Sequence, residues 1–235
     1  GVEEVAREIQ RFGESANQRS ARWVMDERDD IVQALDAAYA KGPSAAATKH
    51  AQAKLRETLN RARGRTVYYD VVSHSRVGDL YVAVSERGLI ALDFGLGERN
   101  FVDRVQRRTK ATLVRSRTEC AEAMKQVREY LDGQRTTFDL PLDMTTMTAF
   151  QRQVLTAAIN IPRGQWLTYG DVAKAIGRPQ ASRAVGQALG HNPVPIVIPC
   201  HRVLGSDGSL HGYSGGGGIQ TKAWLLQLEG AQLPH

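Results

Sequence analysis

The sequence predicts an α+β protein: a small antiparallel-sheet domain followed by a mainly helical domain with a helix-turn-helix, the pair preceded by a helical extension. Three observations predict it. Residues 1–65 lack strand-like runs, residues 66–143 open on Val-, Tyr- and Ile-rich stretches punctuated by glycine, and residues 144–235 return to helical periodicity. These ranges are the expected domain boundaries.

In the head, Ile31, Leu35 and Ala38 recur at helical spacing until Gly42-Pro43 breaks the pattern, and a second helix resumes near Ser44 with Leu55, Leu59 and Ala62 on one stripe. A helical hairpin is expected. From Thr66 the runs TVYYDVVSHS, DLYVAVS and LIALDFG read as three antiparallel strands with turns at Gly78 and Gly88. A helix near Asn100–Arg108, a strand ATLVRS and a helix over Glu119–Leu131 closed by Asp132-Gly133 follow. In the last region TAFQRQVLTAAINIP places Phe150, Val154, Leu155 and Ala158 on one face before Pro162-Arg163-Gly164. LTYGDVAKAIG and SRAVGQALG then form two short helices about a Gly-containing turn, the dimensions of a helix-turn-helix, and a helix over Gln220–Glu229 turns Trp224, Leu225 and Leu228 inward.

The chain of 235 residues carries a formal charge of +6, compatible with a polyanionic partner. No apolar run approaches the ~20 residues that cross a bilayer, and the acidic start GVEEVAREIQRFGE is unlike a secretory signal, so no membrane association and a cytoplasmic location are expected. Cys120 and Cys200 are too few for a disulfide framework, and no Cys/His cluster has zinc spacing, so neither metal nor cofactor is expected. Cys120 reads as a core thiol. The head has no cysteine, which excludes metal-thiolate sensing there.

Chemistry concentrates in NPVPIVIPCHRV, Asn192 to Val203. Three prolines bracket Ile196-Val197-Ile198 and suit an extended, buried segment that fixes the turn after it. A thiol beside an imidazole is the arrangement of an activated nucleophile, since a nearby base or positive charge favours the thiolate. As a dipeptide alone, Cys200-His201 reads more simply as a buried thiol near an unrelated histidine.

Context reverses that weighting. PCHRV at 199–203, NPVPIVI before it, TYGDVA and SRAVGQALG upstream, GYSGG at 212–216 and the terminal KAWLLQLEG together resemble the O6-alkylguanine-DNA alkyltransferases, the methylated-DNA–protein-cysteine methyltransferases, over roughly residues 66–233. The resemblance implies a suicide, single-turnover repair enzyme acting on O6-alkylguanine, and less on O4-alkylthymine. Cys200 would accept the alkyl group, His201 would act as base through a water, Glu229 would orient His201, Asn192 would brace the turn, and Tyr169 would protonate the departing base. The partner would be double-stranded DNA, bound by a monomer through the minor groove, with the alkylated guanine flipped out. Arg183 would fill the gap, Tyr169 would crowd the target's phosphate, and Ala181, Ser182, Ala184 and Gly186 would permit close approach. Pro195, Val203, Tyr213, Ser214 and Gly215 would form the substrate pocket, with Gly215 and Gly216 leaving room beside the alkyl group. The glycine run Gly215–Gly218 is longer than in some relatives and predicts a mobile lid. Two other readings of the residues are a non-catalytic module that binds alkyl lesions and a thiol hydrolase. Relatives of the first kind lack the nucleophile, and cysteine proteases place Cys and His far apart in sequence.

Overall fold

A computed structural model of the protein describes residues 32–33, 36–37, 48–55, 66–210, 212–213 and 215–232. The chain forms two compact units, residues 1–67 with 110–114, and residues 68–109 with 115–235. In the first, residues 48–55 are helical, in line with the helix expected to resume near Ser44. The other landmarks of the expected hairpin, Ile31, Leu35, Ala38, Gly42-Pro43, Leu59 and Ala62, lie outside the described residues.

The strands are β1 (Thr66–Ser75), β2 (Gly78–Ser85), β3 (Gly88–Phe94) and β4 (Thr112–Arg115), in the sheet order β3-β2-β1-β4. β1, β2 and β3 form an antiparallel meander with Val71 opposite Tyr81 and Val82 opposite Leu92. Alternation sends neighbouring side chains of β2 to opposite faces. Tyr81 stacks on Phe101 of α1 (Glu98–Thr109), with ring centroids 5.4 Å apart. Leu80 and Val82 enter the main core with Cys120, Ala123 and Val127 of α2 (Arg117–Leu131). Both faces of β2 are therefore covered, which explains its near-continuous apolar run. Gly88, at φ +129°, is where the next segment touches the sheet: a Cβ there would lie 2.1 Å from Pro141 O. Ser116 caps α2 by accepting from the Glu119 amide, and Cys120 is wholly buried one turn on.

The remainder is helical: α3 (Ala149–Ile159), α4 (Tyr169–Ala175), α5 (Ser182–Gly190) and α6 (Ile219–Leu228). Val154, Leu155 and Ala158 of α3 are buried against α4 and α5, while Phe150 is half-buried. Thr168 and Asp171 form a reciprocal capping box at the start of α4. In α6 Leu225 is buried and Trp224 and Leu228, half-buried, pack against the core as expected, and Leu226, Thr221 and Lys222 are buried as well. Two short strands, β5 (Leu167–Thr168) and β6 (Val203–Leu204), pair in parallel with Leu167 opposite Val203. That pairing ties the start of α4 to the segment following Cys200. Among the described residues no helix is long and apolar enough to cross a membrane.

Candidate active site

The site is built on the residues between α5 and β6. The Asn192 amide continues the end of α5 by donating to Leu189 O at 3.1 Å. The Asn192 side chain then closes the following turn on itself. Its Oδ1 accepts the Val194 amide at 3.0 Å, and its Nδ2 donates to Ile198 O at 2.9 Å and to Cys200 Sγ at 3.2 Å. The segment is not extended, contrary to the reading of its prolines. The Ile198 amide reaches back to Val194 O at 2.9 Å, and Ile196 occupies the left-handed region at φ +74°. For a β-branched residue that conformation costs ~1–3 kcal/mol. It persists because Ile196 is 1% exposed, wedged in the core, and because Asn192 replaces the hydrogen bonds a strand ladder would have supplied. Cys200, His201 and Arg202 follow as a single 3-10 turn, all buried.

Glu229, just past α6, is the electrostatic centre. Its Oε1 lies 2.6 Å from His201 Nε2 and 3.0 Å from Arg202 Nη2, and also accepts the Tyr130 hydroxyl; its Oε2 accepts Arg202 Nε at 2.8 Å. Burial alone would raise this carboxyl, but the hydrogen bonds from His201 and Arg202 outweigh burial and hold it at about 2. Glu229 is thus a carboxylate and can only accept, so His201 carries its proton on Nε2 and its lone pair on Nδ1. Burial pushes the His201 pKa down, only partly opposed by Glu229, and the ring is neutral. His201 Nδ1 is enclosed and has no hydrogen-bond partner. Burial likewise pushes the Cys200 thiol up, partly opposed by the Asn192 hydrogen bond and the charge of Lys222. The resting sulfur is therefore a thiol, harder to ionise than an ordinary one. Desolvation outweighs every nearby favourable group.

Around the sulfur stand Tyr169, Tyr213 and Lys222, each close enough for its titration to feel Cys200. Tyr169 opens α4, positioned by the β5–β6 pairing, and is half-buried. Tyr213 is half-buried, with an enclosed hydroxyl that has no hydrogen-bond partner. Lys222 Nζ donates to Val203 O at 2.7 Å, and burial lowers its pKa to about 8. The Val203 carbonyl thus holds Lys222 with one of its two lone pairs.

On α5, Arg183 and Ala184 are exposed, Ser182 and Gly186 are half-buried, and Ala181 caps the helix without a side-chain bond. Pro195 is buried and, with Asn192 and Gly215, borders a cleft of about 840 Å³ that also reaches Arg104 and Arg108; Cys200 and Tyr213 are not among its walls. Ser214 lies outside the described residues. On the side where a Cβ would point, Gly215 and Gly216 are closed in by their neighbours. A Cβ at Gly215 would lie 2.4 Å from Phe94 Cζ and 2.7 Å from Tyr213 Cε1, and one at Gly216 would lie 2.8 Å from Gly95 Cα. These two glycines admit the end of β3, and the Gly216 amide is bonded to Phe94 O at 3.1 Å.

Three residues of the site escaped the sequence reading. Arg202 stood inside the quoted PCHRV without a role. Lys222 was detectable as a lone cation at helical spacing from Leu225 and Leu226. Tyr130 left no local signal, because its partner is 99 residues away. Among the described residues, no group of His, Cys, Asp and Glu could hold a metal ion.

Residues 67–144 match the 6-O-methylguanine DNA methyltransferase ribonuclease-like domain, and residues 149–231 match the 6-O-methylguanine DNA methyltransferase DNA binding domain. A methylated-DNA--protein-cysteine methyltransferase of Methanosarcina barkeri is 40% identical over 163 residues, spanning 69% of this chain and 97% of the relative. One from Mycobacterium bovis is 48% identical over 112 residues, spanning 48% of this chain and 66% of the relative. A crystal structure of Mycobacterium tuberculosis OGT in complex with DNA superposes with a TM-score of 0.59 at 38% identity, covering 69% of this chain and 92% of that one. With matches along most of its described length, a buried thiol held by Asn192 and a buried His–Glu pair next to it in the chain, the protein belongs to the 6-O-methylguanine DNA methyltransferase family.

Proposed function

We propose that this protein repairs O6-alkylguanine in DNA, and O4-alkylthymine less well, by moving the alkyl group irreversibly onto Cys200. The observation that carries this is the Cys200 sulfur held 3.2 Å from Asn192 Nδ2, next in the chain to a neutral histidine whose Nε2 is engaged by Glu229 at 2.6 Å. In the reaction His201 Nδ1 takes the thiol proton through a water. Cys200 Sγ attacks the alkyl carbon, the S–C bond forms, the C–O6 bond breaks, and its electron pair goes to the guanine oxygen. Tyr169 supplies a proton to the departing base, which leaves neutral, and proton exchange with solvent restores Tyr169 and His201. The charge on Lys222 favours the sulfur anion as it forms. Between lesions the buried sulfur stays protonated, which protects it from other electrophiles. The thioether product has no leaving path, so each molecule serves one lesion.

DNA is bound through the minor groove by α5, by a cytoplasmic monomer. Arg183, exposed at the start of that helix, fills the space of the flipped nucleotide, Tyr169 crowds its phosphate, and Ala181, Ser182, Ala184 and Gly186 keep the approach close. Pro195, Val203, Tyr213, Ser214 and Gly215 receive the base. Residues 144–235 form the DNA-binding and reactive domain, residues 66–143 its α+β companion, and residues 1–65 a separate extension. A module that binds lesions without repairing them would have no use for a sulfur held in this way.

Intact mass after exposure to O6-methylguanine duplex tests the reading. One methyl per molecule, on Cys200 and unchanged by a second exposure, is expected. Cys200→Ala should gain no mass yet bind duplex within about twofold of the wild type, since transfer and phosphate contacts are separate. Loss of the lesion with an unmodified protein would overturn the proposal.

A further inference from the structure

Tyr130 belongs to the last turn of α2, within the residues matched by the ribonuclease-like domain, yet its hydroxyl ends on the carboxylate that holds the histidine. Glu229 Oε1 accepts three donors: the Tyr130 hydroxyl, His201 Nε2 at 2.6 Å and Arg202 Nη2 at 3.0 Å. We infer that Tyr130 is a positioning residue for alkyl transfer: by sharing Glu229 Oε1 with His201, its hydroxyl sets both the orientation and the basicity of the imidazole beside Cys200. The inference rests on His201 being the base, as proposed above.

A carboxylate oxygen divided among three donors offers each a weaker bond than it would offer one alone. Tyr130 and Arg202 therefore dilute the pull of Glu229 towards an imidazolium. The ring stays neutral, and its free lone pair, on the enclosed Nδ1, remains available for the thiol proton. The other charged groups acting on His201 are Arg202 from the 3-10 turn and Lys222 from α6, and Tyr213 is near enough to Cys200 and Glu229 to respond to both. Arg163 packs its guanidinium 5.7 Å from the centre of the Tyr130 ring and donates to Leu228 O at 2.7 Å, next to Glu229. None of these except Tyr130 comes from outside residues 149–231. The Tyr130 ring, 1% exposed, is held independently of its hydroxyl by Phe138, with centroids 4.8 Å apart, and by Arg163. Tyr130→Phe thus removes the donor and keeps the packing.

The experiment measures the single-turnover rate of methyl transfer from O6-methylguanine duplex to the full chain, from about pH 5 to about pH 9, the span in which a histidine base titrates. Three proteins are compared: the wild type, Tyr130→Phe, and protein carrying 3-fluorotyrosine in place of Tyr130. With Oε1 less shared, Tyr130→Phe should move the acid limb of the profile about half a unit to higher pH and slow the plateau roughly threefold to tenfold. Affinity for unmodified duplex should be unchanged. The fluorinated phenol is a stronger donor with the same ring, and should move the limb to lower pH; should Tyr130→Phe fold poorly, this protein decides alone. A limb unmoved in the variants, with or without a slower plateau, overturns the inference and leaves Tyr130 a packing residue. A wild type that never forms the Cys200 thioether overturns the functional reading, and the inference with it.

Discussion

Glu229 Oε1 joins three donors, and the consequences of removing its charge can be worked out residue by residue. Arg202 is 8% exposed, with its other contact the Ile161 carbonyl at 2.5 Å, so Glu229→Gln would leave a guanidinium buried with no counter-charge. Breaking a buried pair from one side costs ~3–5 kcal/mol. The amide also presents donors where His201 Nε2 and Tyr130 donate, so transfer should slow by ~100-fold or more, the usual share of a positioned base. Denaturant melts and single-turnover rates check both effects. The pH dependence carries a sign as well. The Glu229 carboxyl sits at about 2 in the folded chain against an ordinary value of 4.5, so its stabilisation is complete above 4.5 and is lost as pH falls towards 2. Glu229→Gln should flatten the acid limb of the stability curve in that window. A variant as stable as the wild type, with the same acid limb, would mean that the carboxylate does not balance Arg202.

At the scale of elements, the loop before α6 shows how one short run of glycines answers two different demands. Gly217 and Gly218 have φ of +78° and +56°, a conformation that turns the chain into the helix, whereas Gly215 and Gly216 are small because β3 ends against them. Gly215→Ala would press a methyl into Phe94 and Tyr213, two rings whose centroids lie 6.3 Å apart. Overpacking of this kind costs ~1–3 kcal/mol, and here the strain is delivered to the ring beside Cys200. The variant should melt lower and transfer more slowly from methylated duplex, and O6-benzylguanine should suffer no more than the methyl substrate, because the added methyl meets Phe94 and Tyr213 first. A loss confined to the benzyl substrate would mean that the methyl takes space from the alkyl group instead. The same loop marks the boundary of what the sequence discloses. The strands and helices follow from periodicity and turn chemistry within a few residues, and the motif residues Asn192 and Cys200, and His201 and Glu229, are paired by hydrogen bonds. Phe94 filling the space of Gly215, and Tyr130 reaching Glu229, are contacts made across the fold, with no trace in the neighbouring residues. Ile196 illustrates a third limit. A β-branched residue between prolines favours extended backbone locally, and only the Asn192 hydrogen bonds and the surrounding core hold it at positive φ.

Over the whole molecule, alkaline pH should be the weak side. Burial raises Cys120 to about 12 and, with Glu98, raises Tyr69 to about 12, and burial also lifts Cys200 and Tyr213. Each of these groups ionises more readily in the unfolded chain, so its stabilising contribution is complete below its ordinary pKa and is lost as pH climbs towards the folded value. Lys222 acts in the opposite sense. Its folded pKa of about 8 lies below the ordinary lysine value of 10.5, so neutralising it favours the folded chain across that interval, but it is one group against several. Cys120, wholly buried and placed outside the chemistry, isolates the effect. Its thiol lies in the core of α2, where the nearest charges, Asp70 and Glu119, add to burial in opposing ionisation. Cys120→Ala should be slightly less stable than the wild type near neutral pH, because a small cavity replaces the sulfur. It should lose less stability than the wild type between the thiol's ordinary value of 9.0 and about 12, because the thiol that the unfolded chain would ionise is gone. Denaturant midpoints at several pH values across that interval would therefore converge. Parallel curves would show that Cys120 ionises as easily in the folded protein as in the unfolded chain, and that the core around α2 admits water.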